Sequence, residues 1–155
     1  MSFATAIDAV ETAIDALGRA DLDCIDVSDR GPLLIRAKLA QSKLDAHIGR
    51  ATHAADAAGA FIGTGSRDTS EWLAKETGTS MRKNRTATEL GEAMSKSSAL
   101  ADAVTSGSIS SDKAVTVIGA AGNEVVDAAL LSDVAGLPLN AVKPAVEEWR
   151  ARNHP

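Results

Sequence analysis

Tyrosine is absent from this 155-residue chain, and the other large aromatics are scarce: Phe3, Phe61, Trp72 and Trp149. A core must then be filled by Ala, Leu, Val and Ile, which favours closely packed helices over a sheet rich in aromatic and β-branched residues. The same scarcity argues against single-stranded nucleic acid as a partner, because its bases stack on exposed aromatic side chains. Cys24 is the only cysteine. An intramolecular disulfide is excluded, a reducing compartment is suited, and no His partner is evident for nucleophilic chemistry. No apolar run approaches the ~18 residues of a membrane span, and the N-terminus lacks the basic-then-apolar pattern of a secretory signal. The expectation is a soluble cytoplasmic protein with no membrane partner.

Metal and cofactor signals are missing too. His47 and His53 stand six residues apart, on different faces of any helix, and His154 lies in the terminal tail. No cysteine or carboxylate completes a zinc spacing around them. The loop 63-GTGSRD lacks the lysine and the full spacing of a phosphate-binding P-loop, so it reads as a linker. The chain is therefore expected to be no enzyme in itself, with no catalytic residue, no cofactor, no metal and no small-molecule substrate.

Charge is present but polarised. Residues 1–30 carry seven acids against Arg19 and Arg30, whereas residues 31–155 balance, with 14 basic and 14 acidic side chains. Within the balanced part, residues 80–96 hold Arg82, Lys83, Arg85 and Lys96 against Glu89 and Glu92. An acidic front precedes a mildly basic middle.

Hydrophobic spacing predicts an all-α fold of six to eight helices: a long N-terminal helical pair followed by tandem hairpins resembling helix-turn-helix units. Phe3, Ile7, Val10, Ile14 and Leu17 recur at alternating steps of four and three, a narrow seam on one helix. After an acidic loop, Pro32 is placed in the first turn of a second helix. Little breaks the helical pattern up to Phe61, and a helix of that length would span roughly 45 Å, against about 30 Å for a compact domain of this size. Such a helix projects, bends at a glycine or pairs. Pairing with the first helix and with a second copy of the protein is expected, making 1–62 an N-terminal helical hairpin and dimerisation arm. Residues 66–155 then form a hairpin bundle, and the chain is expected to make one compact unit overall.

In that bundle Asp68 and Glu71 have the spacing of a capping box, and Gly78 ends the helix they open. The next helix is expected to run from Thr79 or Ser80 to about Ala103, with Met81, Leu90, Met94, Leu100 and Val104 inward. Ser110 caps another helix, Glu124 to Val134 form a further one, and about 141–152 the last. The turns at Gly78, Gly107 and Gly136 share one pattern, a helix before and a capped helix after, at intervals of about thirty residues. Trp72 and Trp149 read as core anchors.

The segment 68–85 has the layout of a DNA-reading helix-turn-helix, with small Ala74 four residues before the turn glycine Gly78. Arg82, Lys83 and Arg85 fall in the first turns of the following helix, where side chains reach phosphates or base edges. Asn84 stands where an inward apolar residue is expected. Arg82, Lys83, Arg85 and Lys96 are the candidate DNA-binding residues.

Four segments carry a family resemblance: DAAGAF (56–61), GSRDTSEWLAKETGTS (65–80), ALADAVTSGSIS (99–110) and DKAVTVIGAA (112–121). From Leu44 to about Ala121 the chain resembles domain of unknown function 222, an actinobacterial helical domain found N-terminal to HNH endonuclease domains. At 81-MRKNRTAT the chain departs from the mixture of small, apolar and arginine residues usual there. The resemblance implies a DNA nuclease domain following in a longer protein, with a stand-alone relative as the alternative. The expected function is a non-catalytic accessory module that helps an HNH-type nuclease engage duplex DNA. The alternative is a protein-interaction or homodimerisation domain without DNA contact.

Overall fold

The computed structural model describes all 155 residues. The fold is all-helical: α1 (Phe3–Gly18), α2 (Val27–Ala57), α3 (Thr69–Thr77), α4 (Met81–Lys96), α5 (Ser98–Ser106), α6 (Ser111–Ala121), α7 (Ala128–Ala135) and α8 (Leu139–Asn153). No helix is long and apolar enough to cross a membrane. Two compact units divide the chain, Met1–Arg36 and Ala37–Pro155. The boundary therefore falls within α2 rather than near residue 62. The C-terminal half of that helix buries Ala46, Gly49 and Thr52 and belongs with the helices that follow.

In the first unit, the Ser2 hydroxyl caps α1 by accepting from the Thr5 N–H at 3.1 Å. None of the residues of α1 is buried. The second helix starts at Val27, five residues before the expected Pro32. Proline at this depth costs one hydrogen bond, the one its missing N–H would give to Ser28. Ser28 is exposed, so solvent rather than a buried void faces the lost bond. At 31 residues, α2 is about 46 Å long.

The second unit has an aliphatic core, as the composition requires. Leu90 and Met94 of α4, Leu100 and Val104 of α5, Val117 of α6, Leu130 and Val134 of α7, and Val142 and Val146 of α8 are all buried. Each fully buried Leu or Val stabilises by about 1.5–3 kcal/mol relative to exposure. Central to this arrangement is α6, which packs on α8, α4 and α5, while α3 lies on α4. Trp149 joins the buried cluster. Trp72 stays outside it, half-buried on α3, so only one of the two tryptophans anchors the core.

Several boundaries differ from the sequence reading, each for a local reason. The helix starting at Met81 ends at Lys96 instead of near Ala103. Ser97 is extended (φ −134°, ψ 105°), and its hydroxyl accepts from the Leu100 N–H at 3.1 Å and donates to the Val126 carbonyl at 2.9 Å. A buried serine thus ends one helix and caps the next. The helix expected from Glu124 begins only at Ala128, because Asp127 supplies its N-cap, accepting from the Leu130 N–H at 2.8 Å. Met81, expected inward, is exposed at the first position of α4.

The three glycine turns are not equivalent. Gly78 and Gly107 both adopt the left-handed conformation (φ 69° and 83°), which glycine enters without a Cβ penalty. Gly136 remains right-handed (φ −84°), and α8 starts after Pro138 with no side-chain cap. The quasi-repeat is therefore two turns long.

Candidate nucleic-acid interface

The α3–α4 hairpin is assembled from short-range hydrogen bonds. Asp68 caps α3, its carboxylate accepting from the Glu71 N–H at 2.8 Å. The reciprocal bond of the capping box is displaced by one residue: Glu71 accepts from the N–H of Arg67 at 2.9 Å. Arg67 Nε and Lys75 Nζ also reach the Glu71 carboxylate, at 3.0 and 3.1 Å. Held by these donors, Glu71 has its pKa lowered to about 2, the Arg67 backbone N–H contributing most. At the other end of α3 the Gly78 N–H donates to the Ala74 carbonyl at 3.0 Å. The expected four-residue spacing of Ala74 and Gly78 is thus a hydrogen-bonded turn.

Asn84 resolves the exception in the pattern. Its side chain is half-buried, and Nδ2 donates to the Ser70 carbonyl at 3.2 Å and to Thr79 Oγ1 at 3.0 Å. A polar bracket ties α4 to α3 and to the turn, where an apolar contact would otherwise hold the two helices. Ser80 caps α4, accepting from the Lys83 N–H at 3.3 Å.

This bracing sets the direction of the basic residues. Asn84, Gly91 and Met94 share the inner face of α4, while Arg82, Lys83 and Arg85 are exposed in its first two turns. None of the three belongs to an ion pair in the structure. The first turn of α4 contains no acid, whereas those of α3 and α6 contain Glu71 and Asp112. Cations at a helix N-terminus add to the positive end of its dipole, an arrangement that costs roughly 0.3–1 kcal/mol per charge and that an anion reverses.

Lys96 is not part of this cluster. It lies 14 residues beyond Arg82, roughly 21 Å along the helix axis. Its ammonium is paired with Glu92 at 2.6 Å. The hydrogen bond from Lys96 also holds the Glu92 carboxyl below its usual range. Around Lys96 opens a groove of about 520 Å³ whose charged rim includes Glu89, Glu92 and Glu124. The structure therefore gathers Arg82, Lys83 and Arg85 and sets Lys96 among acids.

One further cation acts on the same carboxylate as Lys83. Asp45 of α2 is raised above its ordinary pKa mainly by burial, with Asp112 adding to the effect. A hydrogen bond from Ser111 and the charges of Lys38 and Lys83 pull it the other way. Lys38 on α2 and Lys83 on α4 thus flank one carboxylate, although they are 45 residues apart. Nothing in the local sequence signals this neighbourhood, which depends on how α2 crosses α4. Near that carboxylate α2 also caps α6 from outside: the Ser111 N–H donates to Ser42 Oγ at 2.7 Å.

His47 and His53 lie on α2, while His154 sits beside Glu124 at 2.9 Å and 5.1 Å from the Trp149 ring. No group of three or more His, Cys, Asp or Glu side chains converges as a metal site. Comparison of the chain with protein-family models, curated proteins and solved structures yields no match.

Proposed function

We propose that this chain is a non-catalytic helical accessory module, of the kind called domain of unknown function 222, that helps an HNH-endonuclease-type protein engage duplex DNA. The observation that carries the reading is the cluster of Arg82, Lys83 and Arg85. All three are exposed, none belongs to an ion pair, and they are set on the first turns of a helix held against α3 by Asn84. Phosphates along a duplex there meet three cations near the positive end of the helix dipole. Phosphate contacts of this kind position a protein on duplex DNA without reading its sequence.

Three phosphate contacts produce weak, salt-sensitive binding, with a log–log slope near −2.7 and about a 40-fold loss between 50 and 200 mM salt. The testing experiment is fluorescence anisotropy of a labelled duplex against the intact chain at low and moderate salt. Charge reversal at Arg82, Lys83 and Arg85 together is expected to abolish the signal. Undiminished binding by that triple variant overturns the reading, as does absence of binding by the wild type at low salt.

The second reading is a homo-oligomer or protein-interaction domain without DNA contact. It is favoured by a separate observation, the apolar side chains left exposed before residue 40. The two are compatible, since pairing two chains doubles a weak footprint.

A further inference from the structure

The first unit, Met1–Arg36, contains no buried residue; the first in the chain is Ala46. Of the fifteen large apolar side chains exposed on the chain, ten lie within residues 1–39. A unit of this size does not hold itself together without a disulfide, a metal or association. Cys24 is unpaired, and no metal-holding cluster exists. An isolated 16-residue helix such as α1 is itself marginal in water. Association is the remaining source of stability.

The layout of α1 indicates what associates with it. Phe3, Ile7, Val10, Ile14 and Leu17 step by four and three, the 3.5-residue period of a helix that packs along a like helix. Phe3, Ile14 and Leu17 are 63%, 54% and 70% exposed, while Ile7 and Val10 are half-buried. Asp8 and Asp15 fall on the far side of the helix, while Ala6 and Ala13 flank the seam on one side and Glu11 on the other. Two copies of this acidic helix can therefore close on each other without setting those aspartates face to face.

A lipid surface fits poorly. Membrane-surface helices present Lys and Arg to anionic headgroups, and α1 has neither. At on the order of 100 Å² per side chain, the five seam residues offer roughly 500 Å² per helix, the size of a weak, reversible association.

We propose that α1 is an association helix whose Phe3, Ile7, Val10, Ile14 and Leu17 seam packs against the same seam of a second copy of this chain. The pairing does not depend on the DNA reading. Its salt dependence has the opposite sign, because screening relieves repulsion between two acidic arms while it weakens phosphate contacts.

The test is the solution mass of the intact chain from about 1 to 200 µM. Light scattering should give twice the 15.9 kDa chain mass at the upper end. Ile14→Asp, on the seam, should return the mass to one chain. Asp15→Lys, its neighbour on the opposite face, should leave the doubled mass in place. The near-ultraviolet signal of Trp72 and Trp149, both in the second unit, should be unchanged in both variants. A single-chain mass for the wild type throughout, or a doubled mass for Ile14→Asp, overturns the proposal. So does loss of the tryptophan signal in Ile14→Asp, which would place the seam in the chain's own core.

Discussion

Gly49 of α2 and Gly91 of α4 meet backbone to backbone. A Cβ built on Gly91 would lie 2.7 Å from the Gly49 carbonyl carbon and 2.7 Å from His53 Cβ, and one on Gly49 would lie 2.9 Å from the Ala87 carbonyl oxygen. The two helices approach until neither position has room for a methyl group. This crossing also puts the Asp45 carboxylate of α2 within reach of Lys83 on α4.

Replacement of Gly91 by Ala should destabilise the second unit by about 1–3 kcal/mol, since backbone rather than a flexible side chain must move. Gly119→Ala serves as the opposite case. Gly119 is helical and exposed, with nothing within 4 Å of an added Cβ. Alanine there should stabilise by about 0.5–1 kcal/mol. Thermal melts of the two variants should shift in opposite directions, and a shared direction would contradict the close crossing.

Asn84→Ala removes the donor to the Ser70 carbonyl and to Thr79. A stability loss of about 1–2 kcal/mol is expected by urea titration. Asn84→Leu should not restore it, because leucine leaves the Ser70 carbonyl without its partner. A leucine variant as stable as wild type would show that the position is apolar in character.

Acid should weaken the α3 entrance through Glu71. Its folded pKa lies near 2, below the ordinary 4.5. The contribution is fully present above about pH 4.5 and is lost as pH falls towards 2. Asp45 has the opposite sign: its raised pKa gives a contribution present below the ordinary 3.8 and lost as pH rises through the folded value. Denaturation of wild type and Glu71→Gln between pH 2 and 6 should show a stability gap that closes in acid. A gap constant with pH would remove Glu71 from the account.

Lys96→Glu provides the control for the interface. Lys96 already sits against Glu92 and beside Glu89 and Glu124. Reversing its charge should change duplex binding by less than about threefold, whereas Arg85→Glu should lower it by about tenfold or more. Equal losses in an anisotropy titration would mean that long-range charge, rather than the first turns of α4, governs binding.

Much of the hairpin was legible because its signals are local. Asp68, Gly78, Ser80 and Gly107 act through bonds to residues within about one helical turn, and spacing alone locates such bonds. The breaks at Ser97 and before Ala128 were not. Ser97 follows a strong helical pattern, and its role rests partly on a hydrogen bond to Val126, 29 residues away. The same holds for the candidate interface: Arg82, Lys83 and Arg85 stand out in sequence as a run on one helix. Lys96 is set apart by local spacing as well, 14 residues from Arg82 and four from Glu92, whereas the link between Lys38 and Lys83 required the crossing.

What the sequence by itself determined is the all-helical class, the aliphatic core and the basic opening of α4. Composition, period and capping are properties of neighbouring residues. Tertiary structure alone decided where α2 divides between two units, which cations lie together, and that Asn84 is a bracket instead of a flaw. These depend on contacts across 14 to 69 residues, such as Asn84 with Ser70 and Ser111 with Ser42. Close packing of two glycines permits the α2–α4 approach, and no local pattern encodes which helix will be opposite.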